Sequence, residues 1–385
     1  MYIEYHSAEI KSIGSFSERS IYLSLYQQEW VLILKSDYGR MKKENVLRRK
    51  GEDMLTTYNP KFNSNYETLI RKFEQCGFIP IVTVEDVTDA LPLVGALTAA
   101  HVDVVEITYR SNVAEEVIRI ISGKCPNITV GAGTVLTTDQ IARAQSAGAK
   151  FVVTPGFNPS VVDRAIEIGL PVFPGCSSPS DLDRLFERGL RVCNFFPCEQ
   201  LGGISMLRAL SGPYPFLRFI PTGGVNLSNL RSYLDYNKVL CCGGTFVATP
   251  DDLKEDRFDN VTRKAKEAVN TVMDLELDSF TLYAEGKEAS DAMRTIRKFS
   301  GSTLSPGMYS GAGIEVDCSG KRKATGCVCF KTRDVERALY YLKLRGCTVD
   351  EKSVVRDGNH IKEAYLLDKI SDIECQLTRR EQKEQ

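Results

Sequence analysis

Histidine, net charge and long apolar runs are all scarce in this 385-residue sequence. Its three histidines, His6, His101 and His360, lie far apart, which argues against a histidine-built metal centre. The 49 Lys and Arg residues are balanced by 50 Asp and Glu residues, whereas nucleic-acid-binding proteins normally carry a large basic excess. No run approaches ~18 consecutive apolar residues, so no transmembrane helix is predicted. The composition therefore excludes a nucleic-acid partner and a membrane span.

The N-terminus lacks a basic segment followed by an apolar stretch and a small-residue cleavage site, so no signal peptide is predicted. The sequence has 12 cysteines, of which Cys193, Cys241 and Cys242 lie in apolar, strand-like runs. Reduced, buried thiols and a cytoplasmic location are the resulting expectation. Residues 1–60 carry no clear periodicity, and we treat them as an N-terminal extension.

A regular alternation of strands and helices begins at about residue 64. Eight short apolar, β-branched runs are separated by segments of helical periodicity, a pattern typical of a parallel sheet buried on both faces. Eight such units in about 180 residues predict a (β/α)₈ TIM barrel over residues 64–273. The predicted strands are 78–84, 102–108, 128–134, 151–155, 171–175, 192–197, 218–224 and 238–244.

Residues 274–380 predict a second, smaller α+β domain made of two similar halves. The first half has a strand at 275–282, a helix at 287–299 and a strand at 313–316. The second half has a strand at 326–331, a helix at 334–345 and three further strands near 347–351, 363–367 and 373–377. Strands and helices in this order indicate a repeated β-α-β-β-β layout.

Polar residues at the carboxyl ends of barrel strands are candidates for function, because the site of this fold lies there. The second strand ends in Glu106, with Arg110 able to reach over the barrel mouth, and the third ends in Gly-Ala-Gly-Thr with Thr134 last. A carboxylate inside an apolar barrel is costly unless it is paired or used. A structural ion pair between Glu106 and Arg110 is the alternative to a catalytic role.

Two glycine pairs follow the seventh and eighth strands, in Pro-Thr-Gly-Gly (221–224) and Cys-Gly-Gly-Thr (242–245). Exposed backbone N–H groups in these two loops are typical of a barrel phosphate site. A phosphate or carboxylate is therefore the predicted ligand of this side of the mouth, although structural turns alone would explain one such pair.

Several motifs carry a family resemblance over about 170 residues. VVEITYRS, VGAGTVLT, VVTPGF, NFFPCE and FIPTGGV occur in the order and spacing of the 2-keto-3-deoxy-6-phosphogluconate aldolases, which also act on 4-hydroxy-2-oxoglutarate. The sequence thus resembles this family of pyruvate-releasing lyases, which need no cofactor and form homotrimers. The helix at 256–272 followed by residues 274–380 resembles family members that carry a C-terminal glyoxalase-like (vicinal-oxygen-chelate) module, here residues 274–380 without the histidines that usually bind metal.

The resemblance implies a role for each matching residue. Glu106 matches the glutamate that transfers protons, and a lysine of strand six, which forms the Schiff base in the family, is replaced by Asn194. The remaining matches contact a small 2-keto acid, with or without a phosphate. They are Arg110, Thr134, Pro155, Phe196 and Thr222 for the substrate, and Gly223, Gly224 and Thr245 for the phosphate.

Asn194 departs from the chemistry that the resemblance implies. Its amide nitrogen is delocalised and cannot add to a ketone as an amine does. Lys124, Lys150 and Lys238 precede strands and are predicted at the wrong end of the barrel. A metal ion could serve as the electron sink instead, but hard ligands near the site are limited to Glu106 and Glu199.

Cys193 is predicted to face away from the barrel axis, and Cys198 lacks a histidine partner, so neither is a predicted nucleophile. Three hypotheses stay open. The protein is an aldolase that works by enolisation through Glu106, or it is a non-catalytic protein that binds pyruvate or a phosphorylated 2-keto acid as a sensor or assembly subunit. In the third, Asn194 is a sequence variant or a sequencing artefact, because Asn and Lys codons differ by one base.

Overall fold

The computed structural model describes residues 60–300, 308–311, 313–320, 322 and 324–380. The N-terminal extension predicted for residues 1–60 lies almost entirely outside this part of the chain. Among the described residues, no helix is long and apolar enough to cross a membrane. All 12 cysteines are free thiols and most are buried, as the sequence predicts.

Within the described residues up to 273, nine parallel strands build the larger part of the structure. Six of them form one ladder in the order β5-β4-β3-β2-β1-β9, and three form another in the order β6-β7-β8. Isolated parallel bridges join Phe219 to Val239 and Thr222 to Gly243, so β8 also lies beside the chain leading into and forming β9. The result is a curled parallel sheet. Its strands are β1 Phe78–Val82, β2 Val104–Thr108, β3 Thr129–Gly133, β4 Val152–Val153, β5 Val172–Phe173, β6 Gly175–Cys176, β7 Val192–Phe195, β8 Arg218–Pro221 and β9 Cys242–Gly244.

Helices follow the strands in the predicted alternation. Several begin at a side-chain cap: Thr137 and Ser178 each accept a hydrogen bond from the third backbone N–H of the helix that follows. Short 3₁₀ helices occupy Val87–Asp89 and Glu199–Leu201. The α-helices of this part are α1 Pro60–Cys76, α2 Ala90–Thr98, α3 Ala114–Lys124, α4 Thr138–Ser146, α5 Pro159–Glu167, α6 Pro179–Glu187, α7 Gly203–Ser211, α8 Leu230–Leu234, α9 Pro250–Lys254 and α10 Phe258–Met273.

The predicted fifth strand, 171–175, is interrupted in the structure. Pro174 separates β5, which pairs with β4, from β6, which pairs with β7. Proline has no N–H to donate to a ladder, although the Pro174 carbonyl still accepts a hydrogen bond from the Asn194 backbone N–H at 2.9 Å. The expectation of one continuous strand here is therefore wrong.

Helix α1 packs aromatic side chains against the amino-terminal half of the sheet. The Phe73 ring lies 5.0 Å from the rings of both Phe151 and Phe173, and the Tyr66 ring stacks on Phe173 at 5.4 Å. The Tyr66 hydroxyl accepts a hydrogen bond from the backbone N–H of Val192 at 3.0 Å. All four rings are fully buried, so this end of the sheet is filled.

A mixed seven-stranded sheet makes the C-terminal part, in the order β11-β12-β10-β13-β16-β15-β14. The strand β11 was missed by the sequence analysis, and the β14–β15 hairpin is longer than predicted. The elements are β10 Glu276–Tyr283, α11 Gly286–Ser300, β11 Met308–Gly311, β12 Ile314–Asp317, β13 Gly326–Thr332, α12 Val335–Leu344, β14 Val349–Asp357, β15 His360–Ile370 and β16 Ile373–Arg379.

Helix α12 joins the two parts. Arg337, 6% exposed, donates hydrogen bonds from Nε to the Glu74 carbonyl and from Nη2 to the Leu240 carbonyl, both at 3.0 Å. The Tyr341 hydroxyl donates to the Cys76 carbonyl at 2.6 Å. Two of these carbonyls belong to the last turn of α1, where intrahelical partners are missing, so α12 caps that helix.

Candidate functional site

Side chains on or directly after β1, β2, β7 and β8 point to the same face of the curled sheet. Ile81 is in register with Glu106, and a Cβ on Gly243 would lie 2.9 Å from Ile81 Cδ1 and 2.5 Å from Thr222 Oγ1. Asn194 is in register with the residue two places before Thr222. Because side chains alternate along a strand and registered neighbours share a face, Glu106, Thr222 and Asn194 all point to the same side.

Glu106 is 5% exposed and occupies space that a side chain on the next strand would fill. A Cβ built on Gly133 would fall inside its carboxylate group, so Gly133 must be a glycine. Burial raises the pKa of Glu106 to about 8, and the positive charge of Arg110 opposes that rise. Arg110 is exposed and forms no ion pair with Glu106, so the structural ion pair considered from the sequence is not formed between these two described residues.

Asn194 is 3% exposed, and only the nitrogen of its side-chain amide has a hydrogen-bond partner. Its Nδ2 donates to the Thr154 carbonyl at 3.1 Å, whereas its Oδ1 is buried without a hydrogen-bond partner. Thr154 is itself fixed, since its hydroxyl donates to the Gly156 carbonyl at 2.7 Å and accepts from the Gly175 N–H at 3.2 Å. Sequence reasoning missed Thr154, because its role depends on contacts with residues 21 and 40 positions away.

Thr134 follows β3 with a φ of +56°, in the left-handed region. A β-branched residue rarely adopts this conformation, and strain of about 1–3 kcal/mol is typical of positions that the surrounding structure holds for function. Nearby, the hydroxyls of Thr83 and Thr108 lie 2.8 Å apart at the ends of the first two strands. The sequence analysis did not single out this pair.

The loops after β7, β8 and β9 meet at the same end of the sheet. The Cys198 N–H donates to the Thr222 carbonyl at 2.7 Å. A Cβ on Gly223 would lie 3.1 Å from Pro197 Cα and 3.3 Å from Phe196 Cδ2, and one on Gly224 would lie 2.5 Å from Glu199 Cγ. Both glycines have positive φ, 95° and 82°.

Thr245 directly follows β9 and is exposed, as is Gly224, whereas Thr222 and Gly223 are half-buried. Gly244 is the residue before Thr245. A Cβ added to Gly244 would lie 3.5 Å from the Val225 carbonyl oxygen. The two glycine-rich loops predicted as an anion site are therefore adjacent.

Pro155 is half-buried, and its carbonyl lies where a Cβ on Gly175 would stand, so this wall approaches β6 closely. Cys198 is fully buried, and burial raises the pKa of its thiol to about 11. Its Sγ donates to the Tyr233 hydroxyl at 3.3 Å, and that hydroxyl donates in turn to the Glu199 carboxylate. A thiol with a raised pKa is a poor nucleophile, in line with its predicted packing role.

Lys124, Lys150 and Lys238 all precede strands in the structure, as predicted. Lys150 and Lys238 come just before β4 and β9, and the Lys238 ammonium donates to the Pro215 carbonyl. Lys124 ends α3. Lys254, which the sequence analysis did not weigh, lies in α9 after the last strand and is paired with Glu85 at 3.4 Å, with 60% of its side chain exposed.

Known proteins are similar to part of this chain in sequence and fold. A family model, KDPG and KHG aldolase, matches residues 69–264. The 2-dehydro-3-deoxy-phosphogluconate aldolase of Treponema pallidum (strain Nichols) is 42% identical over 205 residues, which are 53% of this chain and 98% of that protein. The KHG/KDPG aldolase of Escherichia coli (strain K12) is 39% identical over 191 residues, 50% of this chain and 90% of that protein.

Among solved structures, the KDPG aldolase of Legionella pneumophila, with pyruvate captured as a covalent carbinolamine intermediate, superposes with a TM-score of 0.50 and 33% identity. The match covers 51% of this chain and 95% of that one. The match of the family model over half the chain, together with these relatives, leads to one conclusion. This chain belongs to the KDPG and KHG aldolase family.

Proposed function

We propose that the protein binds a 2-keto acid at the carboxyl end of the parallel sheet and catalyses pyruvate-releasing retro-aldol cleavage, with Glu106 transferring the proton. The proposed substrates are 2-keto-3-deoxy-6-phosphogluconate and 4-hydroxy-2-oxoglutarate. The observation that carries the proposal is the buried Glu106 carboxyl, whose pKa of about 8 lets it both accept and return a proton near neutral pH.

The proposed reaction needs no bond to the protein. The Glu106 carboxylate takes the proton of the substrate's C4 hydroxyl, the C3–C4 bond breaks, and its electron pair passes through C3 to the C2 carbonyl as an enolate. The fragment carrying C4 leaves as an aldehyde, and protonated Glu106 then returns the proton to C3 to give pyruvate. Arg110, two residues after β2, and Thr134, directly after Gly133, are proposed to receive the carboxylate of the 2-keto acid.

Asn194 stands where the family has its Schiff-base lysine, by the match of the strand-six motif. Its amide cannot form the iminium that normally withdraws electrons from the breaking bond. We therefore expect turnover to be slow, since the enolate is stabilised only by electrostatic contacts. On the distal side, Thr222, Gly223, Gly224 and Thr245 form the proposed subsite for a phosphate or a second carboxylate.

The amide at position 194 also favours a second candidate function, a protein that holds the same 2-keto acid without turning it over. Glu106, Arg110 and the glycine-rich loops support binding equally in both cases. The two candidates differ only in whether pyruvate is released.

The finer architecture is part of the proposal. The two ladders, the Pro174 junction and the bridges at 219–239 and 222–243 support an eight-stranded (β/α)₈ barrel with β5 and β6 as one broken strand. The β-α-β-β elements of 276–317 and the β-α-β-β-β elements of 326–379 support a glyoxalase-like module. A homotrimer is proposed on the family resemblance, and light scattering of the purified full chain tests it.

The proposed function is tested by pyruvate release from both substrates, with wild type and Asn194→Lys measured side by side. Each reaction is repeated with borohydride, which traps a Schiff base, and followed by intact mass. We expect slow release without an adduct for the wild type, and faster release with a trapped adduct for Asn194→Lys, because the pocket around the new amine is otherwise present.

An inert wild type that still binds substrate, beside an active Asn194→Lys, would favour the binding protein. A trapped adduct on the wild type would overturn the amine-free route, and peptide mapping would then show whether Lys254 or another lysine carries it. A folded Asn194→Lys that stays inert would mean that the pocket no longer fits the family's substrates.

A further inference from the structure

The orientation of the Asn194 amide is fixed by its one hydrogen bond. A backbone carbonyl only accepts, so the group facing the Thr154 carbonyl at 3.1 Å must be Nδ2, and Oδ1 must point the other way. Thr154 cannot swing aside, because its hydroxyl is bonded to Gly156 and Gly175. The structure therefore holds Asn194 Oδ1 as an acceptor, buried and without a partner.

A buried oxygen without a partner costs free energy that a matching donor recovers. Asn194 faces the same side of the curled sheet as Glu106, and its neighbour in register on β6 is Gly175, which has no side chain. A ketone oxygen brought to this position repels the amide oxygen, since both carry lone pairs. A hydroxyl at the same place donates to it.

Resting on the proposed function, we propose that the pocket selects ligands with a hydroxyl at C2, namely the enol or hydrate of a 2-keto acid or a stable 2-hydroxy acid, with Asn194 Oδ1 accepting the hydrogen bond. An amine at position 194 would do the opposite, since it attacks the ketone carbon. The substitution thus changes which form of the ligand is recognised.

The charge at Glu106 is compatible with this selection. Because its pKa is about 8, most of the carboxyl is neutral at pH 7 and does not repel the ligand's own carboxylate. The neutral carboxyl also carries a proton that it can donate to a ligand oxygen.

The test compares pyruvate, both enantiomers of lactate, and propionate, which has no oxygen at C2, as ligands of the full-length protein. Titration calorimetry gives each affinity. The proton NMR spectrum of pyruvate in water shows separate methyl signals for the keto and hydrated forms. Saturation-transfer NMR therefore shows which form is bound. These two arms distinguish a 2-hydroxy acid from the hydrate of a 2-keto acid.

We expect one lactate enantiomer to bind about tenfold more tightly than pyruvate, the difference that one hydrogen bond contributes. In the pyruvate sample, saturation should transfer to the hydrate signal. Asn194→Leu, close in size but without the acceptor, should bring the affinity ratio to about one. Cys193→Val, on the same strand with its side chain on the other face, should leave the ratio unchanged.

Tighter binding of the keto form, or an unchanged ratio in Asn194→Leu, would overturn the inference and leave the proposed function standing. Failure of pyruvate, lactate and the 4-hydroxy-2-keto acids all to bind the wild type would overturn both. The NMR result on the wild type decides the question even if Asn194→Leu does not fold.

Discussion

The two ends of the parallel sheet differ in whether their buried polar groups have hydrogen-bond partners. At the amino end, Arg337 and Tyr341 of α12 donate to three backbone carbonyls, two of them in the last turn of α1. At the carboxyl end, Asn194 Oδ1 has no partner and the Glu106 carboxyl is held in a site that disfavours its charge. The amino end stabilises the fold, whereas the carboxyl end keeps unsatisfied groups whose interactions become available to a ligand.

Glu106→Gln gives the sharpest test of the carboxyl end. Glutamine keeps the size of the side chain but cannot take a proton, so exchange of the pyruvate methyl protons with deuterium should fall by about 10²–10⁴-fold. The exchange is followed by proton NMR. In the wild type, only the ionised carboxylate is a base, so the rate should rise with pH and reach half its maximum near pH 8. An unchanged rate in the variant would remove Glu106 from the mechanism.

The same variant should reveal the energetic cost of the site. Because the folded-state pKa of Glu106 is raised from 4.5 to about 8, wild-type stability falls as pH rises across that window. Glu106→Gln has no such charge, so its melting temperature relative to wild type should increase from pH 5 to pH 8. Equal shifts at both pH values would contradict the raised pKa.

Arg337→Met tests the amino end. Methionine fills a similar volume but leaves the Glu74 and Leu240 carbonyls without their donors, so the free energy of unfolding should fall by about 2–3 kcal/mol. Denaturant titration measures it. Arg345→Met, at the exposed end of the same helix, is the matched control and should change stability by about 0.5 kcal/mol or less. Deuterium exchange should be unaffected in both variants, and its loss in Arg337→Met would show that the two ends are not independent.

Tyr341→Phe should have the smallest effect, about 1 kcal/mol, because it removes one hydroxyl that donates to the Cys76 carbonyl. Since Tyr341 and Arg337 both hold the last turn of α1, the double variant should lose less stability than the sum of the two. Strict additivity in the denaturant titrations would mean that the two side chains act separately.

Much of the fold could be predicted because its signals are local. The apolar, β-branched runs indicate strands buried on both faces, and each lies on or next to an observed strand. Pro174 was visible in the sequence. Whether it interrupts the strand depends on whether a neighbouring strand would accept a hydrogen bond from the backbone N–H that proline lacks, and the sequence does not show this. The docking of α12 was not predictable, since helical periodicity does not show that Arg337 and Tyr341 meet the end of α1.

The candidate site was predicted in part for the same reason. Glu106 and Asn194 were singled out by motif and strand position, and the structure places them on one face. The orientation of the Asn194 amide could not be predicted, because it is set by Thr154 on a different strand. The sequence showed Gly133 only as part of Gly-Ala-Gly-Thr, and could not show that the space beside it is taken by a carboxylate from β2.

The aromatic packing of Tyr66 and Phe73 against Phe151 and Phe173 fills the amino end of the sheet, so the proposed ligand would reach Glu106 and leave it through the carboxyl end. If cleavage yields two fragments there, the one nearer the entrance must depart before the one lying deeper. In steady-state kinetics, the pyruvate fragment would then be the last product off, and it would inhibit competitively against the substrate.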